Sequence, residues 1–446
     1  MTYNEAMEYI NNVGKKGSIL GLEPITQLLL RLGNPQDRLS IIHVAGTNGK
    51  GSICTFLEML YRSEGKKVGR YISPTIHEYL ERFQINGAFM EKDMFAKFIT
   101  EVDNAVSAME SEGLPLPTAF EIETAVAFLY FVNEAVDIVI LEVGMGGRED
   151  ATNVIKKPLC TVFANIGMDH MQFLGDTIEK IAYEKAGIIK RGCPAVAYPM
   201  DERSLGVIRE EYNKVNVVNI IHGNSDQQDT TNLDMSRIGV GKIVVADTSE
   251  VDIISENLDG STFIYKGEEY SISLAGTYQI YNAITAIETK LLLDGHMNKD
   301  ALSKASWEGR FEKISDYPTF IKDGAHNIQG VTALKESLEK HFTNRKFIFI
   351  IGVLQDKEYE KMMERLCPMA SACYLIKPDN PRGLDTLRLS EVVRLYCSDV
   401  TSCESVKEAK DMALERWHAM RGKDLEEDAP VIVAWGSLSY IGNVVM

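Results

Sequence analysis

The chain has 446 residues, of which 45% are hydrophobic and 25% charged, the proportions of an ordinary globular protein rather than a disordered or fibrous one. At about 150 residues per domain, this length predicts two or three domains. The formal net charge of −17 has the wrong sign for non-specific binding to nucleic acid or anionic lipid, so we expect neither as a partner.

The chain also lacks the signals of export and of membrane insertion. Its opening residues, MTYNEAMEYI, include acidic side chains and no basic stretch before an apolar run, which argues against a secretory signal. No uninterrupted apolar stretch approaches the roughly 18 residues that a membrane helix needs. The seven cysteines are scattered and never spaced C-x-x-C, so we expect neither a disulfide framework nor a zinc site. A cytoplasmic protein is therefore expected.

Short β-rich runs alternate with amphipathic stretches, which predicts an α/β fold with a mostly parallel sheet. Residues 41–45 predict a strand that ends at Gly46. Apolar residues between 53 and 60 then recur at i, i+3, i+4 and i+7, which predicts a helix with one apolar face. Residues 137–142 and 161–166 predict two further buried parallel strands because they are almost continuously apolar.

The composition changes in the second half of the chain. Residues from about 216 to 273 are more polar and predict a small β-rich lobe, with a hairpin that turns at Lys266-Gly267. A polar, glycine-containing stretch near 293–300 predicts the domain boundary.

We therefore expect one domain over 1–296 and a second over 297–446. In the second, residues 347–352 and 431–436 are apolar runs that end in glycine, with helical patterns between them. They predict a smaller α/β domain.

The segment HVAGTNGKGS at 43–52 lies between the first predicted strand and helix, where backbone N–H groups and a helix N-terminus can bind phosphate oxygens. It departs from the common G-x-x-x-x-G-K-[ST] pattern because Gly51 separates Lys50 from Ser52. A glycine-rich loop can also be a simple tight turn, but its strand, lysine and helix favour nucleotide binding. The nucleotide-binding residues predicted here are Thr47, Asn48, Gly49, Lys50, Gly51 and Ser52.

Other segments, in chain order, belong with this loop. They are LGLEPITQLLLRLGNPQ at 20–36, SPTIHEYLERFQING at 73–87, LEVGMGGREDATN at 141–153, GMDHMQFLGDTIEKIAYEKAGIIK at 167–190, YQIYNA at 278–283, GR at 309–310 and DGAHN at 323–327. Together the segments resemble the folylpolyglutamate synthase and dihydrofolate synthase family, relatives of the Mur ligases. The resemblance covers nearly the whole chain.

The resemblance implies a P-loop, Mur-ligase-like domain with a mostly parallel sheet and a small β lobe, followed by a smaller, Rossmann-like α/β ligase domain. It also implies an ATP-dependent enzyme that joins the carboxylate of dihydropteroate or a reduced folate to the amino group of L-glutamate through an acyl phosphate. We expect a monomer.

The resemblance further implies two Mg²⁺ sites. Glu142 ends an apolar strand, as a Walker-B-type acid does, and by resemblance it shares one Mg²⁺ with Ser73. By resemblance His170 is a ligand of the second Mg²⁺. Taken alone, Glu142 would be an acid at an exposed strand end, Ser73 a turn residue and His170 a surface or packed histidine.

Lys185 is informative on physical grounds. Asp176 followed by Glu179 is a capping-box pattern that predicts a helix N-terminus at Asp176, and Lys185 continues the apolar stripe begun by Ile178 and Ile181. A buried unpaired ammonium is costly, so the side chain should reach solvent, find a partner or be modified. The resemblance implies that Lys185 is carbamylated and is an oxygen ligand of the second Mg²⁺.

The remaining site residues follow from the resemblance alone. Asn282 would contact the adenine side of ATP, and Arg310 would stabilise charge on the γ-phosphoryl group. Asp323 would bind ribose hydroxyls, with His326 beside the nucleotide. The expected catalytic residues are Lys50, His170, Lys185 and Arg310.

The segment Pro117–Glu121 matches the pterin side of the family's substrate site, except that Ala119 stands where an aromatic residue is usual. Phe120 and Glu121 are the predicted substrate residues. This departure leaves open whether dihydropteroate, a reduced folate or both are used.

Two alternatives remain. A Mur-type ligase of cell-wall precursors would share the loop chemistry, but the segment at 73–87 argues against it. A non-catalytic nucleotide-binding protein would not need Lys50, Glu142, His170, Lys185 and Arg310 together.

Overall fold

The structure is a computed structural model that describes residues 1–15, 21–217, 242–420 and 429–446. These residues form two compact units. The first consists of Met1–Ser73, Tyr79–Ser249 and Tyr281–Ala301, and the second of Pro74–Glu78, Glu250–Ile280 and Leu302–Met446, as far as each range is described. The domain boundary expected between 296 and 297 stays a prediction.

The first unit contains a large sheet with helices on both faces. Its helices are α1 Tyr3–Gly14, α2 Glu23–Arg31, α3 Lys50–Arg62, α4 Lys92–Ser111, α5 Ala119–Asn133, α6 Met171–Leu174, α7 Ile178–Ala186 and α8 Glu202–Val217. Its strands are β1 Ile41–Ala45, β2 Val68–Tyr71, β3 Phe83–Ile85, β4 Ala88–Phe89, β5 Ile138–Glu142, β6 Cys160–Phe163, β7 Ala195–Ala197 and β8 Ile243–Val245.

The eight strands are ordered β4-β3-β2-β5-β1-β6-β7-β8. All neighbouring pairs are parallel except those that involve β3 and β4 at one edge. Every residue of β1 and β5 is buried, as expected for parallel strands in a sheet that is covered on both faces. The predicted α/β class and the strands at 41–45 and 137–142 are confirmed, whereas the strand predicted at 161–166 ends earlier, at Phe163.

The second unit contains two sheets. Its strands are β9 Val251–Asn257, β10 Gly260–Tyr265, β11 Glu268–Ile272, β12 Glu312–Asp316, β13 Thr319–Asp323, β14 Phe347–Ile351, β15 Ala370–Leu375, β16 Val400–Ser402 and β17 Val431–Trp435. Its helices are α10 Ile328–His341, α11 Tyr359–Leu366, α12 Thr386–Val393, α13 Val406–Met420 and α14 Leu438–Ile441.

Strands β9 to β11 form an antiparallel sheet, and the other six strands are ordered β12-β13-β17-β14-β15-β16, with only β12 antiparallel to its neighbour. A further helix, α9 Thr277–Asp294 (hereafter the YQIYNA helix), begins in residues of the second unit and continues in residues of the first. Short 3₁₀ helices are Pro35–Arg38, Tyr79–Arg82, Ala151–Val154, Thr248–Glu250, Lys299–Lys304 and Cys367–Met369.

The β-rich lobe predicted over about 216–273 differs from the structure in part. The hairpin is confirmed: Lys266 and Gly267 both have positive φ, 50° and 81°, as a two-residue turn with right-handed strand twist requires. However, β8 extends the large parallel sheet, and residues 250–280 belong to the second unit. Residues 218–241 of the predicted lobe lie outside the described residues.

None of the helices in the described ranges is long and apolar enough to cross a membrane.

Candidate nucleotide and substrate site

The carboxyl ends of β2, β5, β1 and β6 are neighbours in the large sheet. Tyr71 lies opposite Leu141, Val44 opposite Glu142 and Ala45 opposite Phe163. Because these strands are parallel, the segments that follow them begin side by side. In open α/β sheets, ligands bind at this edge. The structure thus brings together the four segments that contain Ser73, Glu142, the phosphate loop and His170.

The phosphate loop, Gly46–Gly49, joins β1 to α3 and is bound to the segment after β6. The backbone N–H groups of Thr47 and Asn48 donate to the carbonyl of Asn165 at 2.8 and 3.1 Å. The Thr47 hydroxyl donates to the carbonyl of Gly167 and accepts from its N–H, both at 3.0 Å. The position of the loop therefore depends on residues 165–167, three to five residues before His170.

Gly49 occupies a position that only glycine fits. Its φ is +91°, a left-handed conformation, and it immediately precedes α3. A Cβ at this position would overlap the side-chain amide of Asn282, which is buried. The predicted nucleotide residue Asn282 thus lies against the phosphate loop.

Lys50 and Glu142 lie close together at the start of α3 and the end of β5. The Lys50 ammonium is 3.7 Å from the Glu142 carboxylate and donates to the carbonyl of Gly46 at 3.1 Å. Glu142 is only 5% exposed. A lysine and an acid in this arrangement suit a phosphate and its metal ion.

Lys185 is buried rather than extended to solvent, with 4% of its surface exposed. Its ammonium donates to the same Gly46 carbonyl at 2.9 Å. Burial, followed by the charge of Lys50, lowers the pKa of Lys185 to about 7. The side chain is therefore an amine that loses its proton far more readily than an ordinary lysine.

The helix that contains Lys185 begins one residue later than the sequence pattern indicated. Thr177, not Asp176, is the N-cap, because its hydroxyl accepts from the Lys180 N–H at 3.3 Å. Asp176 instead pairs with the Lys180 ammonium at 2.8 Å. The predicted N-cap at Asp176 is wrong, but the burial of the stripe through Lys185 does not depend on it.

The loop after Glu142 packs closely against α5 and α7 at two of its glycines. A Cβ at Gly144 would come within 2.5 Å of the Phe120 ring, and one at Gly147 would come within 2.8 Å of the carbonyl oxygens of Glu184 and Lys185. This loop therefore lies directly against the half-buried Phe120 and against the end of α7.

Glu121, predicted as a substrate residue, is engaged in structural hydrogen bonds. One carboxylate oxygen accepts from the N–H and hydroxyl of Thr118 at 2.7 and 2.8 Å, completing a capping box at the start of α5. The other accepts from the N–H of Ile25 in α2 at 3.1 Å. Burial raises the pKa of Glu121. The T-x-x-E pattern of Thr118–Glu121 was the sequence signal for this role.

The predicted metal ligands do not form a complete protein cage. His170 has a φ of +51° and directly precedes α6, and its N–H donates a hydrogen bond to the neighbouring Asp169 carboxylate at 2.8 Å. Ser73, two residues after β2, is half-buried. Across the described ranges, no group of three or more His, Cys, Asp or Glu side chains is placed to hold a metal ion. Mg²⁺ commonly keeps waters and takes substrate phosphates as ligands, so one or two protein ligands at each site fit that ion.

In the second unit, Arg310, Asp323 and His326 are close together. The Asp323 carboxylate accepts from the N–H groups of Phe311 and Ala325, both at 2.7 Å. A Cβ at Gly324 would lie 2.7 Å from the Arg310 guanidinium, and His326 donates from Nδ1 to the Gly324 carbonyl at 2.7 Å. Burial raises the pKa of Asp323 to about 6, although Arg310 opposes the shift.

A separate cavity of about 500 Å³ in the first unit includes none of the residues predicted from the sequence. It is lined by Phe173, Leu174, Gly175, Glu179, Lys180, Tyr183, Glu184, Val207, Glu210, Glu211 and Lys214.

Comparison with known proteins gives matches along most of the chain. The family models described as the Mur ligase middle domain and the Mur ligase, glutamate ligase domain match residues 44–289 and 309–425. The chain is 34% identical to the dihydrofolate synthase/folylpolyglutamate synthase of Bacillus subtilis over 99% of this chain and 98% of that protein.

Solved structures are also similar. Folylpolyglutamate synthase of Mycobacterium tuberculosis, complexed with ADP and AMPPCP, has a TM-score of 0.84 and 27% identity over 99% of this chain and 97% of that one. E. coli FolC in complex with DHPP and ADP has a TM-score of 0.79 and 26% identity, covering 99% of this chain and 96% of that one.

Proposed function

Because the chain belongs to the folylpolyglutamate synthase and dihydrofolate synthase family of ATP-dependent ligases, we propose that its own residues, as placed above, join a pteroyl or folyl carboxylate to L-glutamate. The family membership confirms the resemblance recognised in the sequence. The Mur ligases are the wider superfamily, and the cell-wall alternative is not needed.

A carboxylate does not react with an amine at neutral pH, because its charge repels nucleophiles and its leaving group is poor. Activation breaks the bond between the γ-phosphorus of ATP and the bridging oxygen, and forms a bond from that phosphorus to the substrate carboxylate. ADP and an acyl phosphate result. The amino group of L-glutamate then attacks the carbonyl carbon, the C–O bond to phosphate breaks, and an amide, phosphate and a proton are released.

In this proposal the protein holds the reactants in position and stabilises the charge of the phosphates. The phosphate loop would bind the nucleotide through its backbone N–H groups and the N-terminus of α3. Lys50 would contact the β and γ phosphates, and Arg310 would stabilise the charge of the transferring group. Asn282, Asp323 and His326 would bind the nucleoside, and Phe120 would contact the pterin.

Glu121 has a second role in this proposal. Its hydrogen bonds to Thr118 and Ile25 hold the start of α5, so it would contribute to the substrate site mainly by holding Phe120 in place.

Two Mg²⁺ ions would neutralise phosphate charge when bound. Ser73 and Glu142 would hold one, and His170 and a carbamylated Lys185 the other. The buried position of Lys185 supports this assignment, because a carbamate needs an unprotonated amine to form. The lowered pKa of Lys185 provides one close to neutral pH.

The observation that supports this function most directly is the convergence of Lys50 and Lys185 on the carbonyl of Gly46, beside Glu142. A lysine cation suits a polyphosphate and a buried amine that can be carbamylated suits its metal ion, whereas an ordinary turn requires neither.

The test is phosphate release with dihydropteroate and with tetrahydrofolate in parallel, with mass spectrometry of the products. We expect ATP turnover to require both a pteroyl carboxylate and L-glutamate, with one glutamyl residue added per phosphate released. Equal phosphate release in the absence of L-glutamate would contradict a ligase.

The carbamate is tested separately. Lys185→Ala should lose most activity, and a short carboxylate such as acetate should restore part of it by supplying the missing oxygen ligand. Wild-type protein in ¹³C-bicarbonate should show a carbamate carbon signal that Lys185→Ala lacks. Full activity with no such signal would mean that Lys185 acts as an unmodified amine or ammonium.

A further inference from the structure

Lys322 is a buried cation on β13 that the sequence motifs do not include. Its surface is 4% exposed, and its ammonium lies 3.3 Å from the Glu312 carboxylate and 3.7 Å from that of Glu308. Glu308 and Glu312 stand two residues before and two residues after Arg310. Glu312 is also the direct cross-strand neighbour of Lys322 in the β12–β13 pair.

The turn from Glu308 to Glu312 is held at nearly every residue. The Gly309 N–H donates to the Glu312 carboxylate at 2.7 Å, and the Gly309 carbonyl accepts from the Gly324 N–H at 2.8 Å. Phe311 has a φ of +47°, a strained conformation for a side chain of this size that persists only where its surroundings impose it. The backbone on either side of Arg310 is therefore fixed.

The two glutamates need a cation between them. Two carboxylates that face one point repel each other, and removal of the cation would leave Glu312 half-buried without its counter-charge. Burial alone would raise the pKa of Glu308, but its hydrogen bond with His77 and the charge of Lys322 outweigh burial and lower it. The Glu308 carboxylate is thus held in the charged form that binds Lys322.

We propose that Lys322 is a positioning residue for Arg310: it binds Glu308 and Glu312 at once, and so fixes the turn that presents the Arg310 guanidinium. Lys322 itself touches no substrate. The inference rests on the proposed role of Arg310 in phosphoryl transfer.

The kinetic test replaces Lys322 with Met, which keeps the length of the side chain and removes its charge. We expect kcat to fall about 10- to 100-fold, the scale of a misplaced catalytic group, with little change in KM for L-glutamate or the pteroyl substrate. Lys322→Arg should recover most of kcat. Glu308→Gln, at a half-exposed position, should give a smaller fall in kcat. This variant tests the inference if Lys322→Met does not fold.

A double-mutant cycle separates positioning from general stability. In an Arg310→Ala background, Lys322→Met should lower kcat no further, because the group that it positions is already absent. The matched control is Lys290→Met, which removes another buried ammonium held by two carboxylates, Glu64 at 2.6 Å and Asp294 at 2.7 Å. It should lower stability and leave kcat close to that of the wild type. Independent, multiplicative losses in the Lys322–Arg310 cycle would overturn the inference.

A second measurement does not depend on ligase activity. Trypsin cleaves after arginine, so the rate of cleavage between Arg310 and Phe311 reports how firmly the turn is held. Under native conditions Lys322→Met should accelerate this cleavage, and Lys290→Met should not. Unchanged cleavage would overturn the inference even if the proposed function holds. If the wild type forms no amide product, the proposed function fails and the cleavage rate alone decides.

Discussion

Two lysines share one acceptor at the phosphate loop, and this arrangement determines the chemistry of the second. Lys50 and Lys185 donate to the Gly46 carbonyl at 3.1 and 2.9 Å. Lys50 has the Glu142 carboxylate nearby, whereas Lys185 is almost completely buried, on a helix whose residues Ile181, Ala182 and Ala186 belong to an apolar cluster. Burial, followed by the charge of Lys50, therefore makes Lys185 an amine that loses its proton close to neutral pH.

This lowered pKa should be measurable as stability. The pKa of Lys185 is about 7 in the folded chain against 10.5 ordinarily, so between these values the unfolded chain binds more protons and stability rises with pH. We expect Lys185→Met to be more stable than wild type at or below about pH 7, on the order of a few kcal/mol. The difference should shrink as the pH rises toward the ordinary lysine pKa.

Urea unfolding of both proteins in buffer free of carbon dioxide and Mg²⁺ measures this difference. A difference that stays constant or widens with pH would show that Lys185 is charged in the fold.

Lys50→Ala should reduce turnover by orders of magnitude and leave the fold intact, because in the proposed mechanism the lysine acts chiefly on phosphate charge. Phosphate release and thermal unfolding are the measurements. Lys66→Ala, at an exposed position just after α3, is the control and should change neither. Near-normal turnover in folded Lys50→Ala protein would remove this residue from the site.

At the scale of helices and strands, the structure could be predicted from the sequence where a single local pattern determines it. Residues 41–45 and 137–142 could be predicted as strands because a continuous apolar run fits a sheet covered on both faces. The turn at Lys266-Gly267 could be predicted because glycine favours positive φ. The N-cap of α7 was misplaced because Asp176 and Thr177 are adjacent and either can cap.

Other features depended on register between distant segments. The pairing of Lys322 with Glu312 follows from the alignment of β12 with β13, and the contact of Asn282 with Gly49 follows from the packing of the YQIYNA helix on the loop. Neither is visible along the chain. The second hydrogen bond of Glu121, to Ile25, is of the same kind, whereas its capping box could have been found from Thr118-x-x-Glu121.

Two capping boxes of the same type allow the role of α5 to be tested. Thr118 caps α5 and Thr2 caps α1, each with a glutamate three residues later. Replacing either threonine with alanine should cost about 1 kcal/mol of stability. Only Thr118→Ala should also raise KM for the pteroyl substrate, because Phe120 lies in the first turn of α5. Unfolding curves and KM for both variants are the measurements. Equal KM values for the two variants would contradict a contact between Phe120 and the substrate.

For the whole molecule, charge works against the proposed ligands at long range. The chain has a formal charge of −17, and ATP and glutamate are anions. In the proposed site, Lys50 and Arg310 can attract them only at short range. Screening of the net charge should therefore help the nucleotide to approach.

We expect the association rate of a fluorescent ATP analogue to rise as salt increases from about 0.01 to 0.15 M, where the Debye length falls from about 30 to 8 Å. Stopped-flow mixing at constant Mg²⁺ measures it. A rate that falls steadily with salt would show that the field at the site entrance is already positive.

The hydrogen bonds of Glu121 have a consequence for the design of inhibitors. The Glu121 carboxylate accepts hydrogen bonds from the N-terminal ends of both α2 and α5. A folate analogue with a donor aimed at Glu121 would have to break these hydrogen bonds to reach the carboxylate. Its added donor would then gain little affinity. In the proposed site, analogues that enlarge the aromatic surface facing Phe120 leave this carboxylate undisturbed and offer the better route to added affinity.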